Sequence, residues 1–212
     1  MTKLVFEVDI QNDFMNKDGA LYVPGAEDIK KNIEKLSHFA WSNDINMLGS
    51  LDMHTMSDSE LDINCGPFPL HCMRNTIGMK RIEEAFDRGV NIPIFENNGP
   101  YCSNYEYEKF EQYGACLFSK QTYDVFSNKK IIQFIEHYGV DEVIIYGVAT
   151  DYCVKAAVLG FQKHGVKCYV VNDAIKGVAK DTTTQAFHEM IESGASFINT
   201  KDALKMMEEW AE

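Results

Sequence analysis

Six short apolar runs, each bounded by charge or glycine, recur along this chain with amphipathic stretches between them. They are "KLVFEVD" (3–9), "INMLGSLD" (45–52), "ACLFSK" (115–120), "DEVIIYGV" (141–148), "KCYVVND" (167–173) and "SFINT" (196–200). Parallel strands cannot be joined by tight turns and need a crossover, usually a helix, so this alternation specifies an α/β architecture. Helical apolar spacing is read over 27–40, 79–88, 128–139, from about 151 to 165, over 182–193 and in the tail "DALKMMEEWAE". The expected fold is a three-layer α/β/α arrangement on a mainly parallel six-stranded sheet, Rossmann-like in outline. Residues 89–114, with Asn, Gly, Pro and several aromatics, fit neither pattern and are expected to form a lid or excursion. Without linkers or repeats, residues 1–212 are expected to form one domain.

Composition matters here mainly for what it excludes. A formal net charge of −12 argues against a nucleic-acid or anionic-membrane partner, because either needs a basic footprint. It leaves room for a homo-oligomer. No apolar run approaches the roughly 20 residues of a membrane span, and "MTKLVFEVDIQNDF" is no secretory signal. The six cysteines are scattered without a C-x-x-C pair, which points to free thiols and a cytoplasmic location. Neither G-x-G-x-x-G nor G-x-x-x-x-G-K-[ST] occurs, so a phosphate cradle is not expected.

In open α/β sheets, ligands collect at the carboxyl ends of the strands. Asp9 ends the first apolar run, Asp52 and His54 the second, Lys120 the third, and the fourth leads through "GVATDYC" to Cys153. One such polar terminus means only that a strand has reached solvent. Four together, one of them a thiol at the mouth of a helix, point to a site. A helix N-terminus and a neighbouring cation, here Lys120, favour the thiolate. Asp9 is placed to hold the lysine and carry a proton between thiol and leaving group. Backbone N–H groups at Ala149 and Cys153 are the candidate donors to an oxyanion. The chemistry that follows is acyl transfer to water through a thioester.

A second cluster lies in "LDMHTMSDSELDINCGPFPLHC" (51–72), where Asp52, His54 and His71 accompany Asp58, Glu60 and Asp62. Mixed oxygen and nitrogen donors suit zinc, iron or manganese. On spacing alone an acidic solvated loop with incidental histidines accounts for the stretch equally well. Histidines 38, 137, 164 and 188 fall on helices or helix ends and read as surface residues, and the cysteines other than Cys153 as structural or incidental.

With these residues assembled, the chain resembles the isochorismatase-like cysteine hydrolases and, within them, the nicotinamidases (pyrazinamidases). The likeness runs through "VDIQNDFM", "LDMH", "FPLHCMRNTIG", "FSKQTYDVFSN" and "GVATDYCVKAAV" in order. It implies the isochorismatase-like fold, a catalytic Asp9–Lys120–Cys153 triad, and a cis peptide between Val148 and Ala149 beside the oxyanion hole. It also implies a divalent metal, zinc before iron or manganese, on Asp52, His54, His71 and a fourth ligand, taken as Glu60 with Asp62 in reserve. Phe14, Phe68 and Phe126 map onto the aromatic walls of the substrate slot, although Phe14 and Phe68 alone would read as core. Departures from the family pattern are Asn75 where glycine is usual, loop 54–71 and the region 89–114 in length or sequence, and Glu7 on a strand that should be buried. The implied reaction is hydrolysis of nicotinamide, a small-molecule amide, to nicotinate and ammonia. The alternatives are another small amide, isochorismate cleavage, or a thiol redox sensor or binding protein. An isochorismatase needs neither thiol nor metal, and a sensor leaves Lys120, Asp9 and the loop ligands as coincidences.

Overall fold

A computed structural model describes residues 2–85 and 89–211. Its sheet has seven strands, all parallel, in the order β3-β4-β2-β1-β5-β6-β7. They are β1 (Thr2–Val8), β2 (Met47–Asp52), β3 (Ile94–Phe95), β4 (Ala115–Lys120), β5 (Val140–Val148), β6 (Lys167–Lys176) and β7 (Ser196–Ile198). The helices are α1 (Asn12–Met15), α2 (Lys30–Ser42), α3 (Asn104–Tyr113), α4 (Lys130–Tyr138), α5 (Lys155–Lys163), α6 (Lys180–Glu192) and α7 (Thr200–Ala211).

The sheet separates two buried apolar clusters, which makes the fold three-layered. Leu4, Phe6 and Val8 of β1 face the first cluster with Phe134 of α4, Phe161 of α5 and Met190 of α6. Val5 faces the second with Ile33 and Leu36 of α2 and Met207 of α7. Side chains alternate across a strand, so β1 feeds both layers and reads as an almost continuous apolar run. Glu7 interrupts that run, and its charge is met by Arg81 and by the Tyr146 hydroxyl, which donates at 3.0 Å.

The sheet differs from expectation by its seventh strand. β3 pairs only Ile94 and Phe95 with Leu117 and Phe118, too short a run to stand out in the sequence. The segment expected as an excursion also carries α3, whose Phe110 joins the first core cluster. Its start was signalled by a capping box in which Ser103 and Glu106 exchange bonds with each other's backbone, and Gly114 ends it at φ 66°. The helix expected over 79–88 does not form over 79–85; 86–88 lie outside the described residues. The backbone there pairs with the loop after β1 instead: Asn12 N–H donates to Lys80, and Ile82 N–H to Ile10.

From β1 the chain builds β2 beside it, then the edge strand β3 and, between β3 and β2, β4, before it returns to build β5, β6 and β7 on the other side. Strand order therefore reverses between β1 and β5, where a crevice opens at the carboxyl ends. At this seam Gly147 has φ 123°, and a Cβ there would collide with the Val8 carbonyl. Glycine is needed for that close approach.

Candidate active site

Each proposed catalytic side chain leaves a different strand end. Asp9 follows β1 in a left-handed conformation, φ 46°, which aspartate tolerates better than most residues. Ser50 of β2 donates to its carboxylate at 2.6 Å. Lys120 closes β4 in register with Asp52 at the end of β2. Its Nζ lies 2.9 Å from Asp9 Oδ2, bonds Asp52 Oδ1, and reaches Cys153 Sγ at 3.6 Å. Asp9 and Lys120 are fully buried, and Cys153 is 8% exposed.

Burial alone would lower the Lys120 ammonium, but Asp52 and Asp9 outweigh it and hold it well above its ordinary value. Asp52 is conversely held well below the usual carboxylate range, because Lys120, His54 and His71 overcome the cost of its burial. Asp9 goes the other way: burial raises it more than Lys120 lowers it. The helix-mouth placement of the thiol is opposed by its burial. Burial pushes the Cys153 thiol well above its usual value, with Lys120 opposing and the nearby Asp9 and Asp52 charges adding to the rise. The turn that carries it, Thr150–Val154, is also wound as a π-helix ahead of α5 rather than as an α-helical first turn. The peptide between Val148 and Ala149 is cis.

Beside this cluster, Asp52, His54, Glu60 and His71 bring one donor atom each to within 4.8 Å of one another. His71 Nδ1 faces the Pro69 carbonyl at 2.7 Å, which leaves Nε2 aimed inward, 3.5 Å from Asp52 Oδ2. His54 Nε2 is buried without a hydrogen-bond partner, 3.9 Å from Asp52 Oδ2 and 3.7 Å from Glu60 Oε2. Burial and the Asp52 charge together raise the Glu60 carboxyl. An orphaned imidazole nitrogen between crowded carboxylates is what a divalent cation would resolve, so the donor set fits a metal. Asp62, the reserve ligand, is exposed and outside the group.

A cavity of about 110 Å³ opens over both clusters, with Cys153, Asp52, Glu60 and His71 in its floor. Phe14 and Phe68 line it, but Phe126 does not. The Phe126 ring lies edge-on to Phe161 and flat on His164, over Gly160, where any side chain would overlap it. It belongs to the core of that layer. The walls that sequence reading missed are Tyr22, Tyr123, Tyr152 and Val178. Gln11 was missed as well: its side chain accepts from Asp52 N–H and donates to the Asp52 carbonyl, both at 2.8 Å, which fixes the end of β2. Gln11 stands in the polar run Gln11–Asn12–Asp13, where nothing local distinguishes a buried side chain from a solvated one. Asn75 has φ 66°, the left-handed conformation that glycine adopts most readily and asparagine next.

The family model described as the isochorismatase domain matches residues 3–202 of this chain. A nicotinamidase of Escherichia coli is 26% identical over 92% of this chain and 93% of that protein. A nicotinamidase/pyrazinamidase of Mycobacterium tuberculosis is 26% identical over 86% of this chain and 91% of its own. The crystal structure of the pyrazinamidase of Pyrococcus horikoshii in complex with zinc superposes with a TM-score of 0.75 at 26% identity, covering 94% of this chain and 99% of that one.

Proposed function

The chain belongs to the isochorismatase domain family, and from that premise we propose that it is a metal-assisted cysteine amidohydrolase converting nicotinamide and water to nicotinate and ammonia. The observation that carries this reading is the Lys120 ammonium set between Asp9 and Cys153, with the sulfur facing a cavity part-walled by aromatic rings. The names of the relatives in Escherichia coli and Mycobacterium tuberculosis support nicotinamide as the substrate.

Cys153 attacks the amide carbonyl carbon as its proton passes to Asp9. The raised Asp9 carboxyl suits it to accept that proton and then deliver it to the departing nitrogen, so that ammonia leaves and a thioester remains. Lys120 balances the negative charge that moves between sulfur and carboxylate. The Ala149 and Cys153 N–H groups, from two residues that line the cavity, are assigned to the oxyanion. Water activated by Asp9 then attacks the thioester; nicotinate departs, and the proton returns to sulfur.

Asp52, His54, Glu60 and His71 would hold the metal, which when bound supplies a Lewis-acid anchor for the pyridine nitrogen. Zinc heads the choice because the Pyrococcus horikoshii neighbour is a zinc complex. Phe14 and Phe68 stack around the ring and orient its amide. Ammonia release from nicotinamide by metal-loaded protein, abolished in Cys153→Ala, is the expected result. Turnover of other small amides with nicotinamide untouched would move the substrate and keep the triad. Reversible Cys153 oxidation with no amide turnover would replace the enzyme by a redox sensor.

A further inference from the structure

Asp151 is a buried carboxylate that this reaction does not use. It is 6% exposed and lies two residues before the nucleophile. Its oxygens accept from Val178 N–H at 2.9 Å, Ala179 N–H at 3.2 Å and the Thr182 hydroxyl at 2.5 Å. All three donors belong to the stretch that enters α6, whose N-cap residue, Ala179, has no capping side chain of its own. Asp151 therefore caps α6 from another element. Val178, which donates the shorter of the two backbone N–H bonds, is also a wall of the cavity over Cys153.

The nucleophile turn has closing bonds that do not involve the Asp151 side chain. Tyr152 N–H and Val154 N–H both donate to the Ala149 carbonyl at 3.1 Å, closing the turn on itself. Val178 is anchored differently, and its N–H has this carboxylate as partner. We propose that Asp151 is a positioning residue that sets how far Val178 closes on the substrate ring, and so tunes which amides the cavity accepts. This deepens the amidohydrolase reading and rests on it.

Asp151→Asn tests the idea, because an amide cannot accept at both oxygens and one N–H must then face an NH₂ group. Its KM for nicotinamide is expected to rise about tenfold with kcat changed by less than about threefold, the signature of lost wall contact rather than lost chemistry. Val178→Ala should raise KM likewise, and the double variant should fall short of the product of the two, because both act on one wall. A readout independent of substrate is the ratio of Cys153 alkylation by N-phenylmaleimide to that by iodoacetamide, followed on the Cys153 peptide by mass. The ratio is expected to rise in Asp151→Asn as the wall opens to the bulkier reagent, and to stay at the wild-type value in Asp181→Asn, which changes only an exposed first-turn charge of α6. If Asp151→Asn fails to fold, Thr182→Val removes one donor alone and should shift the ratio in the same direction by less. A lowered melting temperature with KM and ratio unchanged would reduce Asp151 to a helix cap and overturn the proposal. Wild-type protein inert toward nicotinamide would remove the substrate reading, and the alkylation ratio would still decide the role of Asp151.

Discussion

Glu7 and Asp9 leave the same strand two residues apart, at 2% and 0% exposure. Glu7 lies inside the sheet, where Arg81 and the Tyr146 hydroxyl close around it. Burial and the Glu7 charge raise the Tyr146 phenol well above its ordinary value, so that hydroxyl stays a donor. Asp9 lies past the strand end, where Lys120 connects it to the sulfur in the cavity floor. Both carboxylates satisfy the rule that a buried charge must be paired. The difference is that, among the described residues, Glu7, Arg81 and Tyr146 do not line the cavity over Cys153, so their pairing neutralises charge within the sheet. The Asp9 cluster ends on a thiol that a ligand can touch, so the same pairing can move a proton.

Substitutions on the two sides should separate the roles. Cys153→Ala should lower ammonia release by about 10⁴-fold or more and Asp9→Asn by about 10³-fold, with Cys153→Ala leaving the melting temperature nearly unchanged. Wild-type turnover in Asp9→Asn would erase the contrast. Glu7→Gln should do the reverse, losing about 2 kcal/mol in urea unfolding with kcat/KM held within about threefold, because it exchanges a charge-assisted pair with Arg81 for a bond to a neutral amide. A smaller effect is expected at the metal cluster: His54→Ala should weaken zinc binding by about 100-fold in competition titrations, while exposed Asp62→Asn should bind as wild type. The smallest contrast lies between two phenylalanines. Phe126→Leu should cost about 1 kcal/mol with KM unaltered, whereas Phe68→Leu should raise KM about threefold with stability nearly unchanged. A raised KM in Phe126→Leu would return that ring to the substrate slot.

Strand ends were easy to read because an apolar run stops at a charge: Asp9, Asp52 and Lys120 are such stops, and Cys153 lies five residues past the end of β5. Phe126 was misplaced for the opposite reason: an aromatic next to a motif reads the same whether it faces substrate or core, and only the gap at Gly160 decides. The burial that pushes the Cys153 thiol up was not legible, because helix-mouth placement is a local feature whereas burial is contributed by the whole fold. β3 escaped because two residues carry no periodicity, and α3 because aromatic and acidic residues obscured a capping box that was present.

By itself the sequence determined the layering, because period-2 and period-3.6 apolar patterns are properties of consecutive residues and survive without neighbours. It also determined which side chains stand at strand ends. The tertiary structure alone decided which of them meet: Lys120 reaches Asp9 and Cys153 only because β4 and β5 lie on opposite flanks of the β2–β1 pair. It also sets the direction in which each buried group's pKa moves, since burial and the summed field of distant charges have no expression in a local pattern.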